Sequence, residues 1–170
     1  DIFLKKRTEW LEQGKHLNAI RLSGGEIACL VPELILDVFN EIEKRDLSNE
    51  VYLWVDCNLS TLIYLQNLKS ELSEIAKKKN FGIVGCLKTA GDGQSGRDDF
   101  AKITKAEPKY FPRQFEVLNF LVNTIKADTY VYLVPIIWGE RETWQERLYE
   151  CAQRLTQINR NLPLRTNVIR

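Results

Sequence analysis

A short polar segment near the N-terminus has the residue types needed to bind a charged small molecule. Residues 17–22 are predicted as a buried strand, and Gly24, Gly25 and Glu26 follow almost at once. Glycines let a ligand approach the backbone closely, and a glutamate offers a fixed negative charge to a cationic group. The same residues also fit a tight turn with an ordinary first-turn carboxylate, which a helix dipole favours. The spacing alone does not decide between these interpretations.

Three further polar residues follow the next two predicted strands. The apolar segment 51–55 is followed by Asp56 and Asn58, and the apolar segment 81–87 is followed by Lys88. Parallel strands end at one edge of a sheet, and ligands bind at that edge in α/β proteins, so we expect these side chains beside the glycine turn. Each also has a simpler interpretation, with Asp56 as a helix cap and Lys88 as a surface lysine paired with an acid.

Strand-like and helix-like segments alternate along the whole chain. Strands are predicted at 17–22, 51–55, 81–87, 130–137 and 165–169. Helices are predicted at 2–14, 32–45, 60–79, 98–104, 112–126 and 140–159. This order predicts one α/β domain over residues 1–170, with a parallel sheet and right-handed crossovers. Periodicity leaves open whether the sheet is flat or curls into part of a barrel.

The segment 89–97 contains three glycines and is predicted as a loop. It has neither the Gly-x-x-x-x-Gly-Lys pattern nor the Gly-x-Gly-x-x-Gly spacing of phosphate-binding loops. Its glycines are therefore expected to provide flexibility, as in a lid that covers a substrate.

Composition narrows the classes of function. The formal net charge of +1 gives no general attraction for nucleic acid or acidic membranes. No apolar run approaches the roughly 18–20 residues that span a bilayer, and no signal peptide pattern is present, so we expect a cytoplasmic protein without membrane contact. The four cysteines, at positions 29, 57, 86 and 151, form no Cys-x-x-Cys pair, and no metal ligands are assigned.

The order of these motifs resembles that of the radical S-adenosylmethionine (SAM) enzymes. Those enzymes carry Gly-Gly-Glu-Pro after their second strand and Thr-Asn-Gly after the third. Here the corresponding stretches read Arg-Leu-Ser-Gly-Gly-Glu at 21–26 and Val-Asp-Cys-Asn at 55–58. The segments 85–89, 99–104 and 110–121 are similar to the strand, loop and helix that come next in that family.

The resemblance implies a partial (β/α) barrel of the TIM-barrel type that binds SAM beside a 4Fe–4S cluster. Such enzymes cleave SAM to a 5′-deoxyadenosyl radical, with electrons from a donor such as flavodoxin or ferredoxin, and act on a small-molecule or peptide substrate. The resemblance implies that Gly24, Gly25 and Glu26 bind the methionyl amino group. It further implies that Asp56, Asn58 and Lys88 contact the ribose or the SAM carboxylate.

The chain departs from the family because it lacks the Cys-x-x-x-Cys-x-x-Cys motif that holds the cluster. We expect that motif upstream of residue 1, since the chain has no initiating methionine and begins with a helix. The alternative is a domain without a cluster that binds a nucleotide-like molecule. A third hypothesis is that the helix at 140–159, with Trp144, Leu148 and Leu155, docks a partner, although such a stripe usually covers a sheet.

Overall fold

The computed structural model of the chain describes residues 2–24, 26, 31–91, 93–134 and 141–168. The helices and strands, in chain order, are α1 (Ile2–Glu12), β1 (Ala19–Leu22), α2 (Pro32–Glu43), β2 (Tyr52–Cys57), α3 (Leu62–Asn67), α4 (Lys69–Ile75), β3 (Phe81–Leu87), α5 (Gly93–Thr104), α6 (Arg113–Asn119), β4 (Thr129–Leu133), α7 (Arg141–Ile158) and β5 (Thr166–Val168). Short 3-10 turns span Pro108–Tyr110 and Leu162–Arg165, and a π-helical turn spans Phe120–Ile125. Gly25 and Cys29 lie outside the described residues.

The described strands form one sheet in the order β1-β2-β3-β4-β5, and every neighbouring pair is parallel. This confirms the prediction of an α/β fold with a parallel sheet and alternating helices. When each strand joins the same side of a growing sheet through right-handed crossovers, the connecting helices lie on one face. We call the face of the sheet that these helices cover the covered face, and the other the opposite face.

The covered face supplies the strand residues of the hydrophobic core. Leu53 pairs in register with Phe81, and Val55 pairs with Ile83, so these side chains point to the same side of the sheet. All four are buried in one cluster. That cluster also contains buried residues of the helices, among them Ile35, Leu72, Phe115 and Leu155. Alternation along the strands thus assigns the odd-numbered residues of β2 and β3 to the core.

The opposite face carries aromatic side chains that are half-buried. The rings of Tyr52 and Trp54 lie with centroids 4.3 Å apart, and Trp54 meets the edge of Tyr130 at 4.7 Å. Trp54 lies over Gly82, where a Cβ atom would come within 2.5 Å of the indole ring. Glycine is therefore required at position 82, because only a residue without a side chain lets the indole ring of Trp54 lie against β3.

The glycine-rich segment after β3 differs from its prediction. Helix α5 begins at Gly93, five residues earlier than expected, rather than following a loop that runs to residue 97. A Cβ atom on Gly96 would lie 2.5 Å from the carbonyl oxygen of Gly91 and 2.7 Å from the ring of Phe111. The prediction of a loop with flexible glycines was wrong, because close packing outweighs the poor helix propensity of glycine here.

Two predicted helices are divided. The segment 60–79 contains α3 and α4, with a break at Leu68, and Thr61 precedes α3 without a side-chain cap. Ser60, the first residue of the predicted helix, donates from its backbone N–H and its hydroxyl to Glu26 and does not cap α3. The segment 112–126 contains α6, followed by the π-helical turn that ends in a left-handed residue at Lys126.

Helix α7 packs on the core instead of presenting a free stripe. Cys151 and Leu155 are buried in the main cluster, and Leu148 packs against it. This is the ordinary role of an amphipathic helix. None of the helices in the described part of the chain is long and apolar enough to span a membrane.

Candidate functional site

The carboxyl ends of β1, β2 and β3 lie side by side at one edge of the sheet. Leu22 at the end of β1 pairs with Val55, and Cys57 at the end of β2 pairs with Gly85. The polar residues on and after these strand ends form the set that we call the rim: Arg21, Ser23, Gly24, Glu26, Asp56, Asn58, Cys86 and Lys88. Hydrogen bonds link most of these side chains to one another or to the loop after β2.

Asp56 is the buried acid of the rim, with 6% of its surface exposed. Arg21 donates to both carboxylate oxygens, with Nε–Oδ1 and Nη2–Oδ2 distances of 2.7 and 2.9 Å, and Ser23 Oγ donates to Oδ2 at 2.6 Å. The Arg21 guanidinium also lies 4.8 Å from the ring centroid of Tyr132. The hydrogen bond to Asp56 raises the pKa of Arg21 above its ordinary value. Asp56 therefore joins β1 to β2 by a bidentate ion pair and does not cap a helix.

Glu26 organises the loop that follows β2. Its Oε2 accepts from the backbone N–H of Asn58 at 2.8 Å and from Cys57 Sγ at 3.2 Å. Its Oε1 accepts from the backbone N–H of Ser60 at 2.6 Å, from Ser60 Oγ at 2.8 Å and from the N–H of Thr61 at 3.2 Å. A carboxylate accepts about four hydrogen bonds, so this one has no spare capacity in the present conformation.

The pKa of Glu26 reflects two opposed effects. Partial burial acts to raise the pKa, but the hydrogen bonds from Ser60, Cys57 and Asn58 outweigh it and hold the value below that of an ordinary glutamate. The side chain is thus ionised at neutral pH. It supplies a negative charge that these hydrogen bonds stabilise.

Lys88 and Asn58 form the third part of the rim. Lys88 Nζ donates to Asn58 Oδ1 at 3.0 Å, and the backbone N–H of Lys88 donates to Gln114 Oε1 at 2.8 Å. Gln114 is almost fully buried and fixes the end of β3 against α6. Lys88 makes no ion pair with any described residue, so the interpretation of Lys88 as a surface lysine paired with an acid is not observed in that part of the chain.

Cys86 lies on the opposite face of the sheet, where the charged groups of Lys88, Asp56 and Arg21 act on its thiol. It is half-buried, and burial raises the pKa of its thiol, although the positive charge of Lys88 acts in the other direction. A neutral thiol is a weak nucleophile and a weak metal ligand. Cys86 is therefore a neutral part of the wall of the rim at physiological pH.

A cleft of about 340 Å³ adjoins the rim between the loop after β2 and the segment from α5 to α6. It is lined by Asn58, Leu59, Ser60, Lys88, Phe100, Thr104, Ala106, Tyr110, Arg113 and Gln114. Three of these residues were not predicted as part of a site, because they follow β3 by more than twenty residues: Tyr110, Arg113 and Gln114. For Gln114, the sequence signal is its place as a polar residue next to Phe115 on an apolar helix face.

The described residues do not form a site for a 4Fe–4S cluster. Cys57 faces the core, Cys86 lies on the opposite face and Cys151 is buried on α7. No group of three His, Cys, Asp or Glu side chains among the described residues is arranged to hold a metal ion. Such a cluster needs several thiolates close together.

Of the six residues predicted to bind SAM, Glu26, Asn58 and Lys88 are linked by hydrogen bonds. Asp56 bonds separately to Arg21 and Ser23, and Gly24 follows Ser23 in the chain. Gly25 lies outside the described residues. The interpretation of this site depends on its own residues and motifs. No family model matches this sequence, and neither a curated protein nor a solved structure matches it significantly.

Proposed function

We propose that this chain is a radical SAM-type α/β domain that binds SAM at the rim, within a sheet that forms part of a (β/α) barrel. The observation that carries the proposal is the meeting of Gly24 and Glu26 with the polar ends of β2 and β3 at one edge. A sequentially ordered parallel sheet with its helices on one face agrees with a partial barrel. Ligands of such folds bind at the carboxyl ends of the strands.

Lys88 is the residue best suited to bind the methionyl carboxylate of SAM. Asn58 holds its ammonium at the rim through a single described hydrogen bond. A lysine ammonium has three donors, so two are available to an incoming carboxylate. Lys88 would thus provide the strongest charged contact in the proposed complex.

The glycine turn suits close approach by the methionyl amino group. Gly24 has a φ of +142°, and a Cβ atom added there would meet no atom within 4 Å. Open space therefore adjoins the backbone at this point, which favours a contact between a ligand ammonium and the backbone carbonyls. Gly25 is expected to share this role by resemblance alone.

Glu26 acts in this proposal mainly as a positioning residue. Its hydrogen bonds to Asn58, Ser60 and Thr61 hold the loop from which Asn58 reaches Lys88. A direct contact between Glu26 and the ligand ammonium, which the resemblance implies, requires at least one of these bonds to yield. That contact remains a prediction.

The 4Fe–4S cluster and an electron donor such as flavodoxin or ferredoxin also remain expectations from the resemblance. The described residues do not provide a ligand set for the cluster.

A second candidate is a domain that binds a nucleotide-like ligand without an amino acid group. The saturated carboxylate of Glu26 favours it, because the rim then offers no free acid to a ligand ammonium. The two candidates differ in whether the methionyl part of the ligand contributes to affinity.

Calorimetric titration with SAM, S-adenosylhomocysteine and 5′-deoxyadenosine tests both candidates. SAM should bind more tightly than 5′-deoxyadenosine, which has no methionyl group. Replacing Lys88 with glutamine should weaken SAM about tenfold, because a hydrogen bond to a charged group contributes about 1.5–3 kcal/mol. The matched control is Lys69→Gln, which removes an exposed lysine on α4, outside the rim.

Three results separate the outcomes. Equal affinity for SAM and 5′-deoxyadenosine supports the nucleotide-like alternative. An unchanged SAM affinity in Lys88→Gln contradicts the carboxylate contact. No binding of any of the three compounds at millimolar concentration refutes both candidates.

A further inference from the structure

The cleft beside the rim contains two cationic side chains, Lys88 and Arg113, and no carboxylate among the described residues that line it. The Lys88 ammonium has one described acceptor, Asn58 Oδ1. The Arg113 guanidinium is exposed and lies 5.0 Å from the ring centroid of Tyr110. Neither cation forms an ion pair within the described part of the chain.

Some cations of the molecule are paired, whereas the two in this cleft have no described carboxylate partner. Arg147 pairs with Asp99, and Arg165 pairs with Asp128. Two unneutralised cations on one concave surface raise the local concentration of anions, and walls of low dielectric strengthen that effect. The two cations therefore favour binding of a negatively charged group in the cleft.

The acid nearest in the hydrogen-bond network is Glu26, which touches the cleft residues Asn58 and Ser60 from the side of the rim. Its carboxylate is surrounded by five donors, four from the loop after β2 and one from Cys57. Both of its oxygens face these donors and not the cleft, so its charge reduces the attraction for an anion but does not block a contact with the two cations.

Much of the remaining surface of the cleft is apolar or already hydrogen-bonded. Leu59 is fully buried and Phe100 is 7% exposed, so together they form an apolar floor. Thr104 Oγ1 donates to the carbonyl of Phe100, and Gln114 Nε2 donates to the carbonyl of Phe111. These polar groups are engaged, so ionic contacts to a ligand must come from the two cations.

We propose that the cleft is a binding subsite for a small amphipathic anion. The apolar part of the ligand packs on Leu59 and Phe100, and its carboxylate or phosphate lies between Lys88 and Arg113. As the subsite for a substrate that reacts beside bound SAM, this assignment rests on the proposed function and requires Lys88 to give one of its two remaining donors to each anion. Binding of the anion itself does not depend on it.

Titration of the full chain with three related probes tests the inference without SAM. The probes are phenyl phosphate, benzoate and benzyl alcohol, measured by calorimetry in about 0.15 M salt to screen weak surface attraction. Both anions should bind, and benzyl alcohol should bind at least tenfold more weakly. The ratio of the affinities for phenyl phosphate and benzoate shows which oxyanion the cleft prefers.

Substitutions at Arg113 and Ala106 locate the probe. Arg113→Gln should weaken the anions about tenfold, because it removes one charge-assisted contact, whereas Arg113→Lys should retain most of the affinity. The matched control is Arg160→Gln, which removes an exposed arginine outside the cleft. Ala106→Leu should weaken all three probes by filling the cleft, and far-UV circular dichroism checks that each variant is folded.

The inference and the proposed function fail in different ways. Because Lys88 makes the proposed SAM contact, Arg113→Gln should weaken SAM much less than it weakens the anion probes, so loss of anion binding with most of the SAM affinity retained supports both. Anion binding without any SAM binding supports the cleft alone. Equal binding of benzyl alcohol and the anions, or equal effects of Arg113→Gln and Arg160→Gln, overturns the inference.

Discussion

Replacing Glu26 with alanine would remove the acceptor of three backbone N–H groups in the loop after β2. These belong to Asn58, Ser60 and Thr61, and the hydroxyl of Ser60 loses its acceptor as well. Water can reach the exposed Ser60, but the partly buried N–H groups are harder to solvate. The loop should therefore lose its anchor to the turn after β1.

The expected loss of stability follows from the number and exposure of these bonds. A hydrogen bond to a charged group contributes about 1.5–3 kcal/mol, but contributions within one cluster do not add, and water replaces part of each. We therefore expect a decrease of about 2–4 kcal/mol in the free energy of unfolding. For a domain of this size that corresponds to a melting temperature lower by about 4–16 °C.

Urea unfolding followed by far-UV circular dichroism measures this change. The matched control is Glu71→Ala, since Glu71 is an exposed glutamate in the first turn of α4. Its removal should change stability by less than about 0.5 kcal/mol. Calorimetric titration with SAM on the same samples then separates the two roles of Glu26.

The contribution of Glu26 should also depend on pH. Because the loop's donors lower its pKa in the folded state, its ionised form is favoured by folding. The stabilisation is complete above the ordinary glutamate pKa of about 4.3 and is lost as the pH falls through the lower folded value. The difference between the wild-type protein and Glu26→Ala should thus be constant near pH 7 and shrink in acid.

The refuting result is clear. If Glu26→Ala keeps the stability of the wild-type protein but loses SAM affinity, Glu26 contacts the ligand directly and does not position the loop. A stability difference that grows as the pH falls below 4 contradicts the assignment of the lowered pKa.

Three further predictions concern other residues of the rim. Because burial raises the pKa of Cys86, iodoacetamide should label it slowly at pH 7.5 and faster above pH 9, as measured by mass spectrometry of its peptide. Asp56→Asn leaves Arg21 without a counter-charge, and since Arg21 is partly exposed we expect a loss of about 1–3 kcal/mol in urea unfolding. Gly24→Ala should lower the melting temperature through backbone strain of about 1–3 kcal/mol, since its φ is +142° and no atom obstructs a Cβ.

The sequence was sufficient to predict the sheet and the location of the rim. Strand β3 runs over Phe81–Leu87, as its uninterrupted apolar run indicates. The prediction that Asp56, Asn58 and Lys88 lie near one another follows from parallel pairing alone, because all strand ends then meet at one edge. The local pattern of apolar residues was enough to predict these features, because burial of one sheet face determines both where a strand runs and how it pairs with its neighbour.

The partners of the rim residues could not be predicted in the same way. The ion pair between Arg21 and Asp56 joins residues 35 positions apart. Local sequence does not encode which of several polar side chains will meet across two strands. The same holds for Gln114, which reaches the end of β3 from α6. Gly96 was misinterpreted because it is needed for close packing against Phe111 and the carbonyl of Gly91, which local sequence does not show.

The distribution of charge over the rim has a consequence for ligand choice. Arg21 and Ser23 engage Asp56, and the loop after β2 engages Glu26, so both described acids of the rim are satisfied internally. Lys88 of the rim and Arg113 of the adjoining cleft keep donors that no described carboxylate occupies. Binding energy at this edge should therefore come mainly from negative groups of a ligand, with cationic groups held by backbone carbonyls at Gly24. A ligand that carries a carboxylate fits this balance better than one that carries an amine alone.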